Sequence, residues 1–376
     1  MPPRFSIVVP CHRLALHREL VEHCVASVAL QDFADYELLL VDDGSPDDTA
    51  QILAQTLAAH DPLRHRARIL ALPENGGVCA ARNAGIDAAR GDYVAFLDFD
   101  DLWQPAYLAR MHEAASRHPN TPVFLARTDF MRTMGKEIRV RSTGPIGHLN
   151  ALDDASFNAW HLQHNFPVGM GSAVVVARRL YEEQPDLKFD LALTRTTAED
   201  VLFGFQLLAR GIRPWYVDEP LCIHRSISHR ISRGSAAFLR CDEGQVNEYI
   251  AQRATNALVR RVIEARPEFK VPITAQLERI RLEFDLKREY LEMRHWFGLR
   301  KCLRQPRGFK SLLRLFATRL ALDSPLEVLL QRYLFSQGGN DPLARARVVT
   351  LVNAICLAST KPLGTVRLHG SATYAS

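Results

Sequence analysis

Cysteine is scarce and oddly numbered in this chain: seven among 376 residues, with no Cys-x-x-Cys pair. Such a count supports neither a disulfide framework nor a zinc ribbon, and a reducing compartment is the simpler setting. Long hydrophobic runs are missing as well. The longest late apolar stretch, Val348 to Ala358, is interrupted by Thr350 and Asn353 and falls well short of the ~20 residues that span a bilayer. The opening "MPPRFSIVVPCHR" holds too short an apolar run for a signal peptide. Excess charge is small, with 47 Lys and Arg against 42 Asp and Glu, so the balance gives no argument for nucleic acid as a partner. No period recurs, which speaks against a repeat architecture. The phosphate-binding pattern G-x-x-x-x-G-K-[ST] is absent, and the one glycine turn that precedes a helix lacks the spacing G-x-G-x-x-G, so neither a P-loop nor a dinucleotide fingerprint is supported. The expectation is a soluble or peripheral protein of the cytoplasm.

What the chain does have is apolar residues, 47% of the total, enough for one large domain and a smaller one. "FSIVVP" (Phe5–Pro10), "YELLLVDD" (Tyr36–Asp43), "ARILAL" (Ala67–Leu72) and "DYVAFLD" (Asp92–Asp98) are continuously apolar, the pattern of strands buried on both faces of a parallel sheet. Amphipathic segments at Glu19–Leu30 and Thr49–Ala59 separate them. Strand–helix alternation predicts an α/β sandwich with right-handed crossovers. Past about Ser235 the β-branched runs thin out and long, charged, helical patterns follow. The reading divides the chain into residues 1–235, the α/β domain, and residues 236–376, a mainly α-helical region.

Acids collect at the strand ends. "YVAFLDFDDLW" places Asp98, Asp100 and Asp101 within four residues, where like charges repel and a positive partner is needed. In an extended strand Asp98 and Asp100 project to one side and Phe99 to the other. Two such oxygens suit a hard divalent cation, Mg²⁺ or Mn²⁺, which keeps open positions for phosphate oxygens. The same acids would also serve as a solvated turn capping a helix at Trp103–Ala114. Asp42 and Asp43 end the second strand, where open α/β sheets bind ligands, although a turn aspartate bonded to nearby amides reads the same way. Asp47 and Asp48 need only a structural role: Ser45 as N-cap and Pro46 at the first helical position would start a helix there. In "PENGGVCAARNAGIDAARGDY" (Pro73–Tyr93), Asn75 and Gly76 open a turn before a helix. Its amides could approach a diphosphate or simply make the turn, and Arg82 and Asn83 lie one turn further on.

Taken together, "SIVVPCHR", "YELLLVDDGSPDDT", "NGGVCAARNAGIDAARGDYVAFLDFDD" and "FDLALTRTTAEDVLFGFQLLARG" resemble, in order and spacing, the family 2 glycosyltransferases. The likeness covers roughly Phe5 to His229. It implies a GT-A type Rossmann-like sandwich with a mostly parallel central sheet, and an inverting, metal-dependent, hexosyltransferase-type activity on a nucleotide-diphospho-sugar. The family's Asp-x-Asp carries over to Asp98 and Asp100, with Asp101 adjacent and Asp100 the first choice for the metal. Its base-reading acid falls on Asp43, and the end of its first strand, Pro10 and His12 here, packs beside the base. Where the family commonly has Tyr-Asn, this chain has His12-Arg13. The donor implied is a UDP-sugar, with Asn75, Gly76 and Arg82 on the same side.

The resemblance also makes Asp200 the catalytic base and Glu199 the residue that positions the acceptor. Thr197-Ala198-Glu199-Asp200 reads equally as a capping box, followed by a helix ending near Gly211. In "PLCIHRSISHRIS" (Pro220–Ser232), the likeness offers His224, and after it His229, to complete the metal site or meet the diphosphate. Acceptor contacts are expected between Phe124 and Ala177, with Gly169, Gly171 and Ser172 leaving room for a close approach. From Arg294 to Arg319 eight basic residues are interleaved with aromatics and leucines, with no acid between them. That segment suits an anionic membrane surface at the inner face and a lipid-linked or glycan acceptor. It suits equally a helical subdomain with a solvated basic face, or a homo-oligomer contact. Two other classes remain open from the residues alone: a sugar nucleotidyltransferase, which should carry a basic glycine-rich loop after the first strand, and a non-catalytic nucleotide- or sugar-binding module.

Overall fold

The computed structural model describes residues 2–134, 137–157, 170–191, 199–226 and 341–358, with Glu264 and Pro267. Apart from those last two, these residues fall in one compact unit drawn from residues 1–228 and 340–376. The boundary read at residue 235, His229 and the basic segment 294–319 all lie outside the described residues.

Four of the expected strands form the parallel half of the sheet: β1 (Phe5–Cys11), β2 (Tyr36–Asp42), β3 (Ala67–Ala71) and β4 (Tyr93–Phe96), side by side in the order β3-β2-β1-β4. Every residue of β1, β2 and β4 is buried, as continuous apolar runs require. β3 lies at the sheet's edge and is only partly covered, so the expectation of two-sided burial fails for "ARILA". The crossovers are α1 (Arg18–Ala29), α2 (Thr49–Ala58) and α3 (Val78–Ala88). α2 buries Thr49, Ile52, Leu53 and Thr56, one stripe at helical spacing. α3 lies close on β1 because Gly85 has no side chain: a Cβ there would stand 2.2 Å from Val8 Cγ1.

Beyond β4 the sheet becomes mixed. β5 (Leu102–Trp103), α4 (Tyr107–Arg117), β6 (Val123–Met134), β7 (Glu137–Ser142), β8 (Val174–Ala177) and β9 (Trp215–Ser226) follow in the chain. β8 runs antiparallel to both β4 and β6, β9 runs parallel to β6, and β5 runs antiparallel to β9. β7 folds back on β6 as its antiparallel partner. The β6–β9 register slips on either side of Arg127, next to Pro220, a residue that cannot donate to a ladder and is tolerated at such irregularities.

Two expected helix starts are displaced. The second helix begins at Thr49 with Asp48 as N-cap and no side-chain cap, not at Ser45-Pro46. Ser45 Oγ instead accepts the Arg13 N–H at 3.0 Å, and the Asp47 carboxylate accepts from Ala15 N–H at 3.1 Å and Thr49 Oγ1 at 2.5 Å. Tertiary bonds to the turn after β1 outcompete the local capping pattern. The helix expected at Trp103–Ala114 begins only at Tyr107. Gln104 precedes Pro105, which disfavours helical backbone, while Leu102 and Trp103 pair with Ile223 and Cys222. Asp100 and Asp101 therefore cap no helix.

The helix Pro342–Ala358 packs on this unit. Ala344, Val348, Leu351 and Ile355 bury against Ala26, Leu102, Val140 and Ile223, and Asp341 accepts the N–H groups of Leu343 and Ala344 at 3.0 Å each, an N-cap. No helix among the described residues is long and apolar enough to cross a membrane. Arg347 donates twice, at 3.1 Å each, to Asp129, which is fully buried. Removing the cation strands a buried charge, tempered here by the partial exposure of Arg347. Arg347→Ala should cost about 2 kcal/mol in denaturant unfolding, and adding Asp129→Asn should recover part of that loss.

Candidate functional site

The carboxyl ends of β1, β2 and β4 open into one cleft, lined by Pro10, Cys11, His12, Asp43, Val78, Ala81, Arg82, Asp98, Phe99, Asp100 and Glu199. This is the edge where open α/β sheets take ligands.

One wall is built on Asp43. Its N–H donates to the Cys11 carbonyl at 2.9 Å, extending the β1–β2 ladder past the strand end. Its carboxylate accepts the N–H of Gly76 at 2.9 Å, the N–H of Gly77 at 2.8 Å and Asn75 Nδ2 at 3.1 Å. Gly44, at φ 55°, lets the Glu74 backbone come so near that a Cβ would meet it at 2.3 Å. Asp43 thus anchors a turn through backbone amides, the second of its two readings, and it also lines the cleft. The amides of Gly76 and Gly77 point at Asp43. His12 Nδ1 lies 3.1 Å from the Asp43 carbonyl oxygen, with Asn75 Nδ2 at 3.1 and 3.2 Å from the two ring nitrogens.

The opposite wall is the acid turn. β4 ends at Phe96, and Asp101 N–H bonds back to the Asp98 carbonyl at 2.9 Å. The segment is a turn, not the extended strand expected, so its three acids face different partners. Asp98 accepts from Arg82 Nη2 at 2.7 Å. Arg82 also donates from Nη1 to Glu199 at 2.8 Å and lies 5.1 Å over the Phe189 ring. Asp101 accepts from Ser172 Oγ at 2.6 Å and from Arg225 N–H at 3.0 Å, and pairs with His224 Nδ1 at 3.1 Å. Among the described residues, Asp100 is the acid of the three whose carboxylate has no hydrogen bond or ion pair.

The electrostatics follow from those contacts. Burial, and after it the charges of Asp101 and Asp98, pushes Asp100 up to about 7. Burial would raise Asp101 too, but His224, Ser172 and the Arg225 N–H outweigh it and hold Asp101 below the usual carboxylate range. Asp101 in turn pushes His224 up to about 9, so His224 is a cation at neutral pH. Burial works against the charge on Arg82, and Asp98 and Glu199 more than offset it.

Two members of this wall were not legible as site residues. Ser172 was expected on the acceptor side; it sits behind the acid turn, where Oγ also accepts the Asp98 N–H at 3.0 Å. Its neighbour Gly171 has no room for a Cβ, which would stand 3.1 Å from Asp98 Oδ2. Arg225 is buried, and its guanidinium donates to the carbonyls of Asp100, Leu20 and Phe99 and meets His23 Nδ1 at 3.2 Å. Burial and then the nearby Arg225 charge hold His23 down to about 4, so the ring is neutral and can accept. The only sequence signal for Arg225 was its place beside His224. Asn83 does not face the cleft; its side-chain amide bonds both backbone groups of Phe189.

Glu199 and Asp200 open the helix Glu199–Ala209, and Gly211 at φ 68° follows its end, the glycine stop expected. Thr197 and Ala198 lie outside the described residues. No three His, Cys, Asp or Glu side chains converge on a metal position among the described residues. An all-protein cage is therefore not what the acid turn offers. A half-buried carboxylate with no direct hydrogen bond or ion pair among the described residues, at the rim of an open cleft, does fit a cation that takes one carboxylate and fills its other positions with phosphate oxygens and water.

Comparison with known proteins gives a match of residues 6–183 to the family model described as glycosyl transferase family 2. The uncharacterized glycosyltransferase EpsJ of Bacillus subtilis is 38% identical over 119 residues, 31% of this chain and 32% of that protein. The succinoglycan biosynthesis protein ExoO of Rhizobium meliloti is 32% identical over 215 residues, 56% of this chain and 57% of that protein. The matches thus span about a third and rather over half of these relatives. The crystal structure of S. aureus TarS 1–349 in complex with UDP-GlcNAc superposes with a TM-score of 0.52 at 17% identity, covering 94% of this chain and 90% of that one. That is a likeness of fold.

The Asp100 carboxyl binds its proton more tightly in the folded chain, near 7, than in the unfolded one, near 3.9. A raised acid costs stability as pH rises through that window, because the unfolded state ionises first. Metal-free Asp100→Asn should match the wild type in scanning calorimetry at pH 4 and melt at least about 2 °C higher at pH 8. An equal gain at both pH values would assign the effect to packing.

Proposed function

We propose, given that the chain belongs through residues 6–183 to glycosyl transferase family 2, that it moves a sugar from a nucleoside-diphosphate donor to a hydroxyl of a glycan or lipid-linked acceptor, with inversion at the anomeric carbon. The observation that carries this reading is the convergence of three groups on one cleft: the Asp43 corner, the partnerless Asp100 and the Arg82-held Glu199. The name printed for ExoO, succinoglycan biosynthesis protein, supports polysaccharide assembly as the setting, and the UDP-GlcNAc complex of TarS makes UDP the first nucleotide to try.

The nucleoside takes the Asp43 side, with Pro10, His12 and Asn75 around the base and Arg82 at the floor. Mg²⁺ or Mn²⁺ at Asp100 would neutralise charge on the departing diphosphate. Asp98 and Asp101 shape the turn through Arg82, Ser172 and Arg225, while His224 adds a fixed positive charge beside it. Asp200 takes the proton from the attacking hydroxyl as the new C1–O bond forms and the bond from C1 to the diphosphate oxygen breaks. Glu199 does not compete for that proton, since Arg82 holds its carboxylate; it orients the acceptor. Asp200 stands beside it in the first turn of the same helix.

Calorimetric titration of UDP, with and without Mn²⁺, tests the donor side. Wild type should bind UDP with the metal present, and Asp100→Ala should lose about tenfold or more of that affinity. Binding of GDP or dTDP in place of UDP would overturn the base assignment alone, and no nucleotide binding at all would overturn the reading. Asp200→Asn should lower kcat by about 10²-fold or more with the UDP Kd unchanged. A weaker UDP Kd in that variant would move Asp200 into the donor site instead.

A further inference from the structure

β7, β6 and β9 lie side by side, and their register sets Phe130 opposite Arg141 on one flank and opposite His224 on the other. Residues directly opposite on neighbouring strands share a face. The three therefore make a row across the sheet with an aromatic ring between two basic side chains. His224 meets Phe130 edge-on, with centroids 5.6 Å apart at 68°.

The alternate positions of the same strands face the other way. Asp129, Val140 and Ile223 lie under the helix Pro342–Ala358, which closes that side. The row belongs to the opposite face. Two residues back along the strands, Thr128 and Cys222 are fully buried. At the row the surface opens: His224 is 46% exposed, and Phe130 and Arg141 are half-buried. It opens beside the acid turn, because the Nδ1 of this same His224 is held by Asp101.

This chemistry has a definite complement. A half-buried phenyl ring suits the C–H face of a sugar, since large rings supply contact area with little polar demand. Strands lie ~4.8 Å apart, so the two basic residues stand about 10 Å apart at the backbone, within reach of one charged substituent through their side chains.

We propose that Phe130, Arg141 and His224 form an acceptor subsite for a sugar that carries an anionic group, a phosphate or a carboxylate. The sugar ring stacks on Phe130 and its charge lies between Arg141 and His224. This rests on the transferase reading above and adds the charge of the acceptor to it.

The test titrates glucose 1-phosphate, glucuronate and glucose into the full chain loaded with UDP and Mn²⁺, followed by saturation-transfer NMR. At least one of the two anionic sugars should bind at least tenfold more tightly than glucose, and the tighter of the two identifies phosphate or carboxylate as the group read. Arg141→Gln should remove that preference and leave the UDP Kd unchanged; Arg141→Lys, which keeps the charge, should retain most of it. Glucose binding as well as both anions, or a preference untouched by Arg141→Gln, would overturn the subsite. The wild-type comparison needs no variant to fold. Wild type that binds UDP yet shows no anion preference sinks the subsite alone, whereas wild type that binds no nucleotide sinks the transferase reading.

Discussion

Arg82 sits fully buried with a carboxylate on either side of its guanidinium, Asp98 at 2.7 Å and Glu199 at 2.8 Å. Three elements meet at that one cation: α3, which carries it, the turn after β4, and the helix that begins at Glu199. A buried charge without partners is among the costliest things a fold can hold, so each of the three elements is constrained by the other two. Moving either Asp98 or Glu199 away would leave the buried Arg82 with a single carboxylate partner. Phe189, stacked against the guanidinium at 5.1 Å, closes the remaining side and is itself held by both ends of the Asn83 amide.

The other two acids of the turn are settled in different ways. Asp101 faces away from the cleft into a full set of donors, Ser172, the Arg225 N–H and His224. Arg225 works on the backbone: its guanidinium takes the carbonyls of Asp100 and Phe99 from below, fixing the path of the turn while its charge eases the crowding of acids above. Asp100 is left without a direct partner among the described residues, and feels the charges of Arg225 and His224 only at a distance. The repulsion expected from "FLDFDD" is thus relieved by direct partners at Asp98 and Asp101, and only at a distance at Asp100.

How much of this could be read from the chain depends on the range of the contacts involved. β1, β2 and β4 were legible because burial on both faces forces unbroken apolar runs, a signal that needs no knowledge of neighbours. Asp43 and Asp100 were legible because acids at the ends of such runs are conspicuous. The start of α2 was misread because Ser45 and Asp47 bond to Arg13 and Ala15, more than thirty positions back. Trp103 was misread as helical because its strand partner, Cys222, lies far downstream. Ser172 and Arg225 reach the acid turn across 71 and 125 positions respectively, and no local pattern announces contacts of that length. The mixed half of the sheet, from β6 onward, is assembled almost wholly from such pairings.

A single carboxylate without a direct partner limits how cation and donor would bind. The acid turn offers a lone Mg²⁺ or Mn²⁺ one carboxylate, and that carboxylate holds a proton up to about pH 7. Such a site competes poorly for a hydrated ion on its own, since hard cations of this kind give up water reluctantly. On the proposed reading, diphosphate oxygens arriving at the Asp43 side of the cleft would supply the missing ligands, and the cation would supply the charge that lets a diphosphate lie against Asp98 and Asp100. Each ligand would then remove the obstacle to the other, and their affinities would be coupled by equal factors in both directions. The spacing of the two walls, set by β1 between them and by Arg82 beneath them, is what would make that coupling available to this fold.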